Sequence, residues 1–193
     1  MKKSALRMEF KARRNSFSTI EKQSFDLMLL QQIKNYPFND INYLLSYYPI
    51  EKHNEPNTFL LSGHLKEQFP AMHICKPRIN EAGLMDAVYV NEHTVFEKNK
   101  YDIPEPITDH LVEPEKIDVV FVPLLAFDTR GYRVGYGKGY YDKYLPKCNK
   151  NILKIGISYF QPIHNIEDTN EYDIPLNLCF TPFEVYEFKC NLS

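Results

Sequence analysis

Gly131, Gly135, Gly137 and Gly139 are four of the chain's seven glycines, and they fall within nine residues. Glycine permits positive φ and lets a ligand approach the backbone with no Cβ in the way. Lys138 sits inside the cluster, Arg133 lies between its first two glycines, and Asp142 follows Tyr140 and Tyr141 at its exit. Backbone N–H groups, a mobile cation and a helix starting on the far side make a cradle for phosphates. Asp142 is placed to reach a metal ion. Asp128 and Arg130 precede the cluster. Asp128 is expected to fix the turn by accepting backbone N–H bonds.

The familiar phosphate loops do not fit. A Walker A loop needs GxxxxGK followed by Ser or Thr. Here Gly139 follows Lys138, and Tyr132 stands where the first glycine belongs. The spacing after Gly135 and Gly137 also fails the dinucleotide fingerprint GxGxxG. A plain surface turn would not need Arg133, Lys138 and Asp142 together. The six histidines show no metal spacing, and no Ser/His/Asp or Cys/His arrangement is indicated.

Several elements must position this cluster. Residues 2–14 read as a basic helix with Leu6 and Phe10 on an apolar stripe, and Lys3, Arg7, Lys11 and Arg14 forming a basic one. Ser18 and Glu21 fit a capping box that opens a second helix, closed by Pro37. Residues 41–48 form a short buried strand, 58–69 a helix, and 72–76 a second strand. Residues 84–97 look like a strand pair and 98–116 like a proline-dotted loop. Asp118 to Pro123 is the clearest buried strand, followed by a helix from Tyr140, a strand at 152–159 and a last one at 184–188. Strands alternating with helices predict an α/β fold with three layers, α/β/α, and a largely parallel central sheet. Ligands of such sheets sit outside the carboxyl ends of strands, where the glycine cluster falls.

The chain has 193 residues, 44% of them apolar, enough for a sizeable core in a single 1–193 domain. A net charge of −2 does not point to nucleic acid. The N-terminus is basic but lacks the apolar run of a signal peptide, and no segment has the length of a membrane span. Cys75, Cys148, Cys179 and Cys190 show no CxxC pairing and read as reduced thiols. A soluble cytoplasmic protein with no membrane or nucleic-acid partner is expected, acting as a monomer.

Val120 to Asp128 and Gly131 to Asp142, with Leu145, resemble the signature of the 5-formyltetrahydrofolate cyclo-ligase family. Lys3 to Arg7, Leu45-Ser46, Glu55 to Thr58, Glu105-Pro106 and Tyr172-Asp173 resemble further family elements in the same order. The interval from Ser46 to Glu55 is longer than in some members, and Asn177 stands where many carry aspartate. The resemblance implies a fold like that of the sugar-phosphate isomerase and CoA-transferase group. It implies conversion of 5-formyltetrahydrofolate to 5,10-methenyltetrahydrofolate, with ATP as co-substrate and Mg²⁺ as cofactor.

The resemblance also implies residue roles. Lys3, Ser4, Ala5, Leu6 and Arg7, with Arg133, Val134, Gly135, Tyr136, Gly137, Lys138, Gly139, Tyr140 and Tyr141, would meet ATP. Leu45, Glu55, Tyr136, Gly137, Lys138, Gly139 and Tyr140 would meet the folate. Lys138, Arg133 and Tyr140 would be catalytic, and Asp142 and Asp173 would hold the metal. Two rivals remain at this point: a sugar-phosphate isomerase of the related fold, and a protein that stores folate or nucleotide without turnover.

Overall fold

The computed structural model describes residues 1–99 and 103–188. Cys190 lies outside them; Cys75, Cys148 and Cys179 are buried and unpaired.

Helix α1 (Lys3–Asn15) is followed directly by α2 (Thr19–Asn35). The break between them is the expected capping box, in which Ser18 Oγ accepts from Glu21 N–H and Glu21 accepts from Ser18 N–H. Strand β1 (Tyr43–Leu45), helix α3 (Thr58–Gln68) and strands β2 (His73–Ile79) and β3 (Met85–Tyr89) come next. Then follow β4 (Phe96–Lys98), β5 (Pro104–Pro106), β6 (Leu111–Val112), β7 (Val119–Val122), β8 (Ala126–Phe127) and β9 (Arg133–Val134). The last elements are the short α4 (Tyr140–Tyr144) and strands β10 (Leu153–Ile157), β11 (Leu178–Phe180) and β12 (Val185–Glu187).

The main sheet runs β12-β11-β10-β7-β1-β2-β3-β6. The stretch from β11 to β2 is parallel, and β12, β3 and β6 join antiparallel at the margins. β7 is buried throughout because both its faces are covered. Val119 and Phe121 pack with Leu29 and Ile33 of α2 and Leu61 and Leu65 of α3. Val120 and Val122 pack on the other side with Tyr144 of α4, Leu145 and Cys148. This is a mixed α/β fold with helices on both faces of a mostly parallel sheet. A third cluster sets Leu6 and Phe10 of α1 against Leu125, Ala126, Val134 and Phe160, which docks α1 on the β8–β9 hairpin. No described helix is long and apolar enough to cross a membrane.

Several local expectations are corrected. The segments around Val88 and Phe96 do not pair with each other. β3 pairs with β2 and β6, and β4 pairs with β5. A two-residue alternation reports a pleated, half-buried segment but not its partner. The expected loop at 98–116 contains β5 and β6; Pro104 and Pro106 sit in a two-stranded ribbon, where a missing N–H is tolerated. Only Tyr43–Leu45 of the expected 41–48 strand is in the ladder. β11 was not expected: its three residues are too few to show a period.

Candidate active site

Helix α1 presents Lys3, Arg7 and Arg14 along one face, since steps of four and seven residues return to nearly the same angle. Each meets a different part of the site. Lys3 Nζ donates to Asp173 at 2.5 and 2.6 Å. Arg7 Nε donates to the Gly135 carbonyl at 2.8 Å. The Arg7 guanidinium also lies 3.5 Å from where a Cβ on Gly137 would stand.

Arg14 is only 3% exposed, so it is not part of a solvated basic stripe. Its Nε donates to the His53 carbonyl at 2.7 Å and its Nη1 to the Leu124 carbonyl at 3.1 Å. Its Nη2 donates to the Tyr136 hydroxyl, which in turn donates to Glu55. Glu55 is 2% exposed, lies 3.8 Å from Arg14, and accepts from Ile50 N–H at 2.7 Å. Burial pushes the Glu55 carboxyl up; Arg14, Tyr136 and the Ile50 N–H pull it back down.

The glycine turn links β9 to α4. Gly137 has φ +90° and Gly139, which precedes α4, has φ +68°. These are positions where a side chain is strained, so the backbone shape depends on glycine. Gly137→Ala is expected to cost about 1–2 kcal/mol of stability. Urea unfolding checks this, and an unchanged midpoint would mean the turn relaxes freely. Asp128, fully buried, holds the start of the hairpin. It accepts from the N–H groups of Arg130, Tyr132 and Ile166 and pairs with the Arg130 guanidinium at 2.7 Å. That is the turn-fixing role its position predicts.

Arg133 is buried. Its guanidinium donates to Asp142 at 2.7 Å and to the Ile174 carbonyl. Burial pushes it down from the usual arginine value, and Asp142 opposes that. Ile174 N–H donates to Asp142 at 3.3 Å, which brings the Asp173 segment beside Asp142. Two carboxylates thus come together from distant parts of the chain. Among the described residues no group of three His, Cys, Asp or Glu side chains is arranged to hold a metal. Magnesium suits such a sparse site, since it takes one or two carboxylates plus substrate phosphates.

The remaining expected residues fall around this centre. Lys138 is exposed on the turn and Tyr140 is half-buried. Leu45 is fully buried in the cluster beneath α4, against which Tyr140 and Tyr141 also pack. Val134 and Leu6 are buried between α1 and β9, Ala5 is half-buried, and Ser4 is exposed. Asn177 Oδ1 accepts from Lys154 N–H at 2.9 Å, tying β11 to β10.

His53 was missed by sequence reading. Its ring stacks on Tyr136 at 5.8 Å between centroids. His53 Nδ1 and the Tyr141 hydroxyl are buried with no hydrogen-bond partner among the described residues. Such atoms are costly unless a water, an ion or a ligand group satisfies them. On the α3 side of the sheet, Lys76 lies 4.7 Å from the rings of Tyr48 and Phe59. Burial pushes its ammonium down to about 7, and the neighbouring Cys75 opposes that only in part.

The sequence pattern of the 5-formyltetrahydrofolate cyclo-ligase family matches residues 1–182. The 5-formyltetrahydrofolate cyclo-ligase of Mycoplasma pneumoniae is 29% identical over 187 residues, 92% of this chain and 97% of that protein. That of Mycoplasma genitalium is 46% identical over 69 residues, which span 35% of this chain and 42% of the relative. The solved structure of Aquifex aeolicus 5,10-methenyltetrahydrofolate synthetase superposes with a TM-score of 0.81 at 29% identity, covering 100% of this chain and 96% of that one. The Mycoplasma pneumoniae 5,10-methenyltetrahydrofolate synthetase gives a TM-score of 0.72 at 27% identity over 93% and 98% of the two chains. With a family match over nearly its whole length and a shared fold, this chain belongs to the 5-formyltetrahydrofolate cyclo-ligase family.

Proposed function

We propose that the protein closes 5-formyltetrahydrofolate to 5,10-methenyltetrahydrofolate at the expense of ATP, with Mg²⁺, as a monomeric cytoplasmic enzyme. The observation that carries this reading is the convergence of three things on the glycine turn. These are the α1 cations Lys3 and Arg7, the carboxylates Asp142 and Asp173, and the buried Arg14–Tyr136–Glu55 chain.

The chemical difficulty is a formyl oxygen that cannot leave by itself. It attacks the γ-phosphorus of ATP, and ADP departs. The resulting iminium phosphate carries a good leaving group. N10 then attacks the formyl carbon and loses its proton to solvent, and inorganic phosphate leaves with the original formyl oxygen. The protein mostly aligns reactants and neutralises charge. Backbone N–H groups from Gly135 to Gly139 cradle the phosphates, with Lys3 and Arg7 beside them. Lys138 meets the charge that builds on the γ-phosphoryl group. Arg133, itself paired with Asp142, is the further cation proposed to clamp phosphate oxygens.

Glu55 takes the amino-pyrimidine edge of the pterin. Each of its oxygens keeps acceptor capacity after the bonds from Tyr136 and Ile50. Tyr140 supplies the apolar wall with Leu45 packed beneath it, and the Tyr141 hydroxyl, without a partner among the described residues, offers a hydrogen bond. Asp142 and Asp173 would hold Mg²⁺, which supplies charge neutralisation across the phosphates.

Mixing protein, 5-formyltetrahydrofolate, ATP and Mg²⁺ and following the near-ultraviolet absorbance of the methenyl product tests the reading. A folded protein that binds both ligands with no rise is a storage protein instead. Asp142→Asn is expected to shift the Mg²⁺ titration of the rate to higher concentration. An unchanged titration removes Asp142 from the metal site.

A further inference from the structure

The two carboxylates assigned to the metal are already neutralised by the protein's own cations. Both Asp173 oxygens contact Lys3 Nζ, and Asp142 contacts Arg133. A divalent cation approaching this pair meets two negative and two positive charges, and nothing in the balance attracts it. A nucleotide changes that balance, because its phosphates compete for the same cations.

Lys3 is the cation built to move. It is a point charge on a flexible four-carbon stem, whereas the Arg133 guanidinium is buried and also bound to the Ile174 carbonyl. The Lys3–Asp173 pair keeps partial solvent access, at 17% and 19% side-chain exposure. Other bonds also hold both partners in place. The Lys3 backbone N–H donates to Asp168 at 2.7 Å, and Asp173 keeps the bond from Asn170 N–H at 2.7 Å. Arg7, one turn further along α1, already touches the glycine turn, so phosphates bound there come within reach of Lys3.

We infer that Lys3 is an exchangeable counter-ion. Phosphates draw its ammonium off Asp173, and Asp173 is then free to take the metal. The metal site is therefore assembled by the nucleotide, and the nucleotide-free protein holds divalent cations poorly. This rests on the nucleotide reading above and adds an order of binding to it. Because coupling is reciprocal, nucleotide and metal tighten each other by the same factor.

Mn²⁺ titration of the full chain, with free Mn²⁺ read by electron paramagnetic resonance, tests the exchange with and without a non-hydrolysable ATP analogue. Without nucleotide, Lys3→Met is expected to bind Mn²⁺ about tenfold more tightly than wild type, within the usual range of such couplings. Adding Asp173→Asn to that variant should abolish the gain, and Lys3→Arg should keep the weak wild-type binding. Lys3→Gln serves if the methionine variant does not fold. Equal nucleotide-free affinities in wild type and Lys3→Met would overturn the exchange. So would analogue binding that leaves wild-type Mn²⁺ affinity unchanged. Failure of the analogue to bind at all would overturn the nucleotide reading, and the exchange with it.

Discussion

Lys138→Ala is expected to lower turnover about 10²–10³-fold, or roughly 3–4 kcal/mol of transition-state stabilisation. Its thermal unfolding should stay close to wild type. The side chain is exposed and packs into no core cluster, and surface changes of this kind move stability little. The turn should also keep its shape, because the positive φ values belong to Gly137 and Gly139 on either side. In the proposed phosphoryl transfer, charge on the γ-phosphoryl group would grow only as the transfer proceeds. The loss should therefore appear in kcat more than in the KM for ATP. Lys138→Arg should recover part of it. Steady-state kinetics beside a melting curve checks this. Near-wild-type kcat in the alanine variant would remove Lys138 from the chemistry.

Arg14→Ala has the largest expected effect on stability. Arg14 supports the Glu55 carboxylate, the Tyr136 hydroxyl and the carbonyls of His53 and Leu124, all from a buried position. Removing it leaves Glu55 as an uncompensated buried charge, which typically costs about 3–5 kcal/mol. For a chain of this size that corresponds to a melting temperature lower by about 6–20 °C. Arg14→Ala with Glu55→Gln should be more stable than Arg14→Ala alone, because the stranded charge is gone. A positive coupling of about 0.5–3 kcal/mol in the double-mutant cycle is the signature. If Arg14→Ala melts like wild type, the buried ion pair does not hold this end of α1 to the Glu55 loop.

Much of this is legible in the sequence. The glycine turn, the capping box at Ser18 and the buried strand Val119–Val122 announce themselves through local chemistry, and each appears where its residues predict. Asp128 is legible for the same reason, since a short acid before a turn bonds to the N–H groups that follow. Strand partners were not legible. The choice of β2 and β6 as neighbours of β3 is made by long-range packing, and a strand's own pattern does not encode it. β11 was too short to show a period.

At the site, spacing put Lys3 and Arg7 on one helix face. It could not show that Arg14, on the same face, turns inward to Glu55. A buried arginine looks like an exposed one until its carboxylate partner is placed, and that partner lies across the fold. His53 was illegible too, because stacking on Tyr136 depends on the turn that ends at Asn54, the non-glycine residue with positive φ among those described.

On the proposed function, ATP activates the formyl oxygen by phosphorylating it. The most direct test is a single-turnover reaction with 5-formyltetrahydrofolate carrying ¹⁸O in the formyl group, together with ATP and Mg²⁺. The near-ultraviolet product rise and the mass of the released phosphate are followed together. One ¹⁸O atom in the inorganic phosphate is expected for each methenyl product formed. Product formation with the label released into water, and unlabelled phosphate, would contradict it.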